Sequence, residues 1–357
     1  MEDERIFMLK RKTYSEDFHC TQETPKKRSN ARWKGATCPC GRKDCSVTEE
    51  TLRRILDDGC EMSCYSRRVP QNVKHVGQLK LLLSEIEFLT PYKNQRITLV
   101  YAGAAPGFHI PRLVRMFPLV HFVLVDPNKS VMSTMNMNNV TVLQCEMTDN
   151  LAAELKGMYG TKTLFVSDVR VGPATEREAD IDQQRRIHKD MLAQMQWFSL
   201  LDPMAGMFKF RLPWDMEAST EYLDGLIHLP VFGRFLTHES RLVVQRGARM
   251  KTYDNSRYEG QMAHFNQKLR TAIYPGGRCY DCTVFRHIIQ GYLEKPAVDE
   301  EVEMLCSEIE SELEFRDGIA ISAFCRRSWV EVQPETGVIL SLPVRRSEAP
   351  RQTDASL

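Results

Sequence analysis

The sequence predicts an α/β fold, with a mostly parallel sheet covered by helices on both faces, and three observations carry that expectation. Apolar runs recur from Val76 to about Gln290 and alternate with stretches of helical period, the pattern of a sheet buried on both sides. The first run, Ile97–Ala102, ends in the turn Gly103-Ala104-Ala105-Pro106-Gly107, and a helical pattern starts just after it. The second run, His121–Val125, is followed by a carboxylate, Asp126. A buried strand that ends in a glycine turn and feeds a helix is how such folds hold nucleotide-like cofactors.

Taken in order, strands are expected at 97–102, 121–126, 140–145, 163–168, 205–211 and 240–245. The strand Thr163–Ser167 runs into Asp168 and Arg170. Lys209 lies inside the otherwise apolar stretch Met204–Leu212, and Glu239 immediately precedes Ser240–Val244. Between these strands, Thr175 to Leu201 reads as the best helix. Thr175 and Glu178 make a capping box, and Pro203 follows the end. Ile187, Met191, Met195 and Phe198 recur at helical spacing and read as a core stripe. Beyond Asp299 comes an acidic helix with Val302, Leu305, Ile309 and Leu313 on one face.

Four regions follow from this pass. Residues 1–69 form a charged, Cys-rich N-terminal extension, 70–295 the α/β domain, 296–333 a C-terminal helical extension, and 334–357 a disordered tail. With 357 residues the chain can bury a large core, and 42% apolar with 27% charged residues is ordinary for a soluble protein. A net charge of +1 gives no global nucleic-acid signature, so any RNA site must be a local patch. No apolar run reaches membrane-spanning length, and the charged start Met1–Arg5 does not read as a signal peptide. Eleven cysteines, an odd number, fit a reducing compartment. Cys38, Cys40, Cys45, Cys60 and Cys64 come near the spacing of zinc knuckles without matching it, and no second pair stands beside Cys279 and Cys282. These are read as reduced thiols, with no metal expected. Pro25-Lys26-Lys27-Arg28 fits a nuclear import signal or a solvated loop.

The turn itself narrows the ligand. It is not G-x-G-x-x-G, because Ala105 fills the middle position, and a G-x-x-x-G turn with proline before its last glycine fits S-adenosylmethionine better than a dinucleotide. Asp126 sits about 20 residues on, where an acid accepts hydrogen bonds from ribose hydroxyls. An ammonium inside an apolar strand, as at Lys209, is costly unless paired, and desolvation is how a general-base lysine is made. The bland alternative is an edge-strand lysine that snorkels to water.

Six blocks in matching order carry a resemblance: VGQLKLLLSEIEFL, LVYAGAAPGFHI, FVSDVR, FKFRLPWD, HESRLVV and NSRYEGQMAHFNQKLR. From about Pro70 to Gln290 the chain resembles the poxvirus-type cap-specific mRNA (nucleoside-2′-O-)-methyltransferases. Those enzymes also serve as small subunits of poly(A) polymerase and have kinetoplastid relatives. The resemblance implies a Rossmann-like, S-adenosylmethionine-dependent methyltransferase. The family's catalytic Lys-Asp-Lys-Glu set falls on Lys80, Asp168, Lys209 and Glu239, with Lys209 accepting the proton of the ribose 2′-OH. Its cofactor positions fall on Gln78, Tyr101, Gly103, Gly107, Asp126 and Asp168, with adenine near Cys145, Glu146 and Met147. Pro127 and Asn128 stand where the family has glycine and arginine. The cap-binding aromatic and carboxylates fall on Trp214, Asp215 and Glu259, and Tyr65 and Tyr92 are candidates for the opposing ring.

The resemblance thus implies capped mRNA as substrate, a poly(A) polymerase or other capping enzymes as partners, and no membrane. Arg170, Arg211, Arg249 and Lys251 are candidate phosphate contacts. Residence in the nucleus is expected, with cytoplasm, including a viral factory, as the alternative. Ribose methylation of uncapped RNA and a non-enzymatic cap- or RNA-binding role in polyadenylation are the competing functions.

Overall fold

The computed structural model describes residues 52–64, 76–134, 137–170, 180–213, 218–234, 236–274, 278–294 and 298–317. Its centre is an eight-stranded sheet built from β1 (Ile55–Leu56), β2 (Ile97–Ala102), β3 (Val120–Val125), β4 (Val140–Leu143), β5 (Thr163–Ser167), β6 (Ala205–Phe210), β8 (Leu226–His228) and β9 (Ser240–Gln245). Their order across the sheet is β1-β8-β9-β6-β5-β2-β3-β4. β4, β3, β2, β5 and β6 are parallel, and β9 enters antiparallel between β6 and β8. The order reverses between β2 and β5, so the cleft for a ligand opens at the carboxyl ends of those two strands.

The six strands expected from the sequence all occur, trimmed by one or two residues at some ends, and β3 begins one residue earlier than expected, at Val120. Their apolar runs are buried almost throughout, and only Thr98, His121 and Lys209 interrupt β2, β3, β5 and β6. Helices α1 (Gly77–Leu89), α2 (Ile110–Met116), α3 (Asp149–Tyr159), α4 (Asp180–Leu201), α5 (Asn255–His264), α6 (Tyr280–Leu293) and α7 (Asp299–Asp317) complete the layers. Thr148 caps α3 by accepting from the Leu151 N–H, and Asp254 caps α5 through Arg257. The stripe Ile187, Met191 and Phe198 of α4 lies in the core, with Met195 packed against it. A small β-ribbon of β7 (Ser219–Leu223) with β10 (Met250–Asp254), and a second of β11 (Ile273–Tyr274) with β12 (Arg278–Cys279), were not foreseen. Each is short, and β7 and β10 alternate polar with apolar residues too weakly to stand out.

Part of the segment read as an N-terminal extension belongs to the sheet. β1 pairs with β8, and Leu52 and Leu56 are buried in the core. Arg54 locks this edge: its guanidinium meets the Glu87 carboxylate of α1 at 2.5 and 3.1 Å and donates to the Leu229 carbonyl. Burial works against the charge of Glu87, but Arg54 and then His228 outweigh it and hold the carboxyl far below its ordinary value. Residues 1–51 and 65–69, the capping box at Thr175 and Glu178, and the tail from 334 lie outside the described residues. No helix among the described residues is long and apolar enough to cross a membrane. None of their His, Cys, Asp and Glu side chains cluster as a metal site would require. Cys60, Cys64, Cys145, Cys279, Cys282 and Cys306 form no disulfide among the described residues.

Removing one member of a buried pair strands the other. Arg54→Ala is therefore expected to cost about 2–4 kcal/mol, measured by urea denaturation, whereas Arg53→Ala on the exposed side costs less than about 1 kcal/mol.

Candidate functional site

The glycine turn closes the carboxyl end of β2. Gly103 has φ +82 and Gly107 φ +70, conformations that other residues rarely adopt. A Cβ on Gly103 would lie 2.9 Å from the Val169 amide nitrogen, and one on Gly107 would lie 2.6 Å from the Ala104 carbonyl oxygen. Both positions therefore require glycine. Asp126, at the end of β3, organises the loop: one carboxylate oxygen accepts from the Ala105 N–H at 3.1 Å, the other from the Asn128 backbone and side chain at 2.8 and 3.0 Å. A carboxylate offers about four acceptor positions, which leaves capacity for a ribose hydroxyl. Asn128 thus spends its side chain on Asp126. Cys145 and Glu146, past β4, are exposed, and Met147 is buried.

Beside the turn, four side chains far apart in sequence converge. Lys80 Nζ of α1 lies 2.6 Å from Glu239 Oε1. Lys209 Nζ of β6 lies 3.3 Å from Asp168 Oδ1 and 3.7 Å from Glu239 Oε2. A fifth residue, which the sequence reading missed, joins them. Arg241 of β9 sits 2.7 Å from Asp168 Oδ1 and 3.5 Å from Glu239 Oε1. The signal was available, because Arg241 interrupts an apolar strand just as Lys209 does. The two face each other directly in the β6–β9 register.

Each member is set in place by its own element. Asp168 donates its backbone N–H to Ala102 across the sheet. The start of α1 is tied to the loop before Glu239, since the Val76 N–H donates to the Phe232 carbonyl. That loop is held from behind by the π-turn Phe265–Leu269 that continues α5: Asn266 donates to the Thr237 carbonyl, and Arg270 to those of Gly233 and Arg234. Tyr258 donates to the His238 carbonyl at 2.5 Å and meets the Ser240 hydroxyl at 2.9 Å.

The electrostatics follow from this packing. Burial raises Asp168 and Glu239, but the surrounding cations win: Arg241 then Lys209 hold Asp168 low, and Lys80 then Lys209 hold Glu239 low. Burial, with Arg241 beside it, lowers Lys80 despite the Glu239 carboxylate. Three cationic groups share two carboxylates, so loss of one lysine proton brings the cluster to neutrality.

The other residues singled out from sequence are distributed as follows. Tyr101 is buried, and its hydroxyl donates to Glu85 at 2.6 Å, so that oxygen is committed to the core. Gln78 accepts from His109 through its side-chain oxygen. Glu259 is half-buried on α5, while Trp214, Asp215 and Tyr65 lie outside the described residues. Tyr92 packs on Phe88 at 6.3 Å between ring centres. Arg170 approaches Asp190 at 3.7 Å, Lys251 approaches Asp224 at 3.8 Å, and Arg249 is exposed.

A doubly wound sheet of this order, with one antiparallel strand beside the last parallel one and a glycine turn at the switch point, is a Rossmann-like methyltransferase fold. The description Poly A polymerase regulatory subunit belongs to the family model that matches residues 56–283, and the chain is a member of that family. Two relatives, each named cap-specific mRNA (nucleoside-2′-O-)-methyltransferase, come from myxoma virus strains Lausanne and Uriarra. Both are 28% identical over 240 residues, covering 61% of this chain and 69% of theirs. Among solved structures, the RNA-capping protein VP4 of bluetongue virus aligns at 15% identity and a TM-score of 0.40, over 61% of this chain and 37% of its own. Human methyltransferase-like protein 13 aligns at 11% and 0.30, over 52% and 86%. Likenesses this slight do not speak for function.

His238, adjoining Glu239, is pushed down from its ordinary 6.5 to about 4 by burial and then by Arg211. The unfolded chain binds a proton there below about pH 6.5, and the folded chain refuses it until about pH 4. The contribution of His238 to stability should fall by about 3 kcal/mol across that window, and further loss at lower pH comes from the carboxylates that are held low. His238→Gln should flatten this dependence in urea denaturation at pH 7 against pH 4.5.

Proposed function

We propose that this chain transfers a methyl group from S-adenosylmethionine to the ribose 2′-OH of a nucleotide next to the m7G cap of mRNA. The observation that carries the reading is the meeting of two lysines and two carboxylates beside a glycine turn that no side chain can fill. S-adenosylmethionine supplies an electrophilic methyl group when bound, and Gly103, Gly107 and Asp126 are the residues that would hold it.

A ribose hydroxyl must lose its proton as it attacks, so the site needs a base within reach. Lys209 takes that role, with Asp168 and Glu239 orienting its amine. Lys80, 2.6 Å from Glu239, holds that carboxylate in place beside Lys209. The surplus of one positive charge over the carboxylates is what allows one amine to be neutral without stranding an unpaired anion. Fixing donor and hydroxyl in near-attack geometry supplies the rest of the acceleration. Glu259, with Trp214 and Asp215, would grip the cap, whose methylated guanine is a cation suited to aromatic faces and carboxylates. Family membership supports a poly(A) polymerase as partner.

Labelled S-adenosylmethionine offered with RNA bearing a methylated cap, an unmethylated cap or no cap tests the reading. Label should enter only the first RNA, in a ribose adjoining the cap as mapped by nuclease digestion; equal transfer to uncapped RNA would replace this reading with general ribose methylation. Lys209→Ala should lower the rate by about 10²–10⁴-fold while S-adenosylhomocysteine affinity stays within about twofold. Retention of the wild-type rate would remove Lys209 from the base role.

A further inference from the structure

We propose that His109 is a positioning residue that turns the side-chain amide of Gln78 so that only its N–H donors face the methyl donor, giving the site a grip on the donor's α-carboxylate. The inference rests on the S-adenosylmethionine reading above and adds to it two residues, His109 and Glu85, that the mechanism does not otherwise use.

His109 stands two residues past Gly107, at the start of α2, and its side chain is 2% exposed. Its backbone N–H donates to the end of the Gln78 side chain at 3.2 Å. A backbone N–H cannot accept, so the atom it meets is the amide oxygen. The ring Nδ1 lies 2.9 Å from that same oxygen, and because an amide oxygen cannot donate, Nδ1 carries a proton. The opposite nitrogen, Nε2, bonds Glu85 Oε1 at 3.1 Å with Oε2 2.9 Å away. Tyr101 also donates to Oε1, at 2.6 Å. Nε2 and the carboxylate therefore share one further proton, and the buried pair is neutral overall whichever partner holds it. That neutrality is what lets a glutamate 1% exposed sit behind the turn without an uncompensated charge.

Gln78 and Glu85 are seven residues apart on α1, two turns along one face, so one imidazole spans both. The ring is thus clamped at both ends, and Gln78 has no freedom to flip its amide. With the oxygen taken twice, the Nε2 group makes no hydrogen bond among the described residues and presents two donors and no acceptor. Gln78 also occupies the first turn of α1, where the helix dipole favours negative charge. Donors in that field fit a carboxylate and not the ammonium beside it.

Calorimetric binding of S-adenosylmethionine and of its decarboxylated analogue, without RNA, tests this in the full chain. Wild type should prefer the carboxylate-bearing ligand. His109→Phe should cut that preference at least about tenfold, the weight of one charge-assisted hydrogen bond. Gln78→Glu keeps an oxygen for both His109 donors but offers a second oxygen in place of the NH2 group, and it should cut the preference as far. A thermal melt reports whether each variant is folded; if His109→Phe is not, Gln78→Glu decides alone. An unchanged ratio of affinities in a folded variant overturns the inference, because a general loosening of the site would weaken both ligands together. Failure of wild type to bind S-adenosylmethionine would instead overturn the cofactor reading on which it stands.

Discussion

Lys209 and Arg241 face each other across the antiparallel β6–β9 pair, and the rest of the site depends on resolving that conflict. Like charges directly opposite in a sheet repel, and burial makes each charge more costly. Asp168 and Glu239 answer it. Asp168 reaches both cations, at 3.3 and 2.7 Å, while Glu239 spans Lys80, Lys209 and Arg241. The carboxylates stay charged because the cations outweigh the cost of their burial. The fold is thereby obliged to bring α1, the end of β5 and the start of β9 to one point. A sheet whose strand order reverses at β2 and β5 provides that point at their carboxyl ends.

Behind the charged cluster lies a second polar layer. Tyr101, Glu85 and His109 satisfy one another, and Gln78 links them to the turn. The loop before Glu239 is fixed in the same way by Asn266, Tyr258 and Arg270. Buried hydrogen bonds of this kind rigidify a site, and these networks connect the reacting end of the sheet to α1, α2 and α5. Arg270 carries its own partner, Asp281 of α6, at 2.8 Å.

Helix α7 lies beyond the residues matched by the family and packs mainly on α6. Its acidic residues meet arginines of the body: Glu308 and Glu312 face Arg112, Glu312 faces Arg115, and Glu303 faces Arg278. Pairs so exposed contribute little. The docking comes from Val302, Ile309 and Leu313, which the sequence placed on one face, together with Cys306; Leu305, expected beside them, is only partly buried.

The apolar runs of β2, β3, β5 and β6 and the stripe of α4 were legible because burial on both faces leaves unbroken hydrophobic stretches, and Gly103 and Gly107 were legible because positive φ admits little else. What the linear pattern could not carry was pairing at a distance. β1 is two residues long and exists only because β8 and Arg54 receive it, and β7 and β10 owe their form to each other. Arg241 and the Glu85–His109 pair look, in sequence, like an arginine in a strand and polar residues in a helix and a turn. Their meaning lies in partners 73 and 24 positions away, which only the closing of the sheet brings within hydrogen-bond reach. Local burial and backbone geometry are written residue by residue; electrostatic compensation is a property of neighbours in space, and tertiary structure alone decides it.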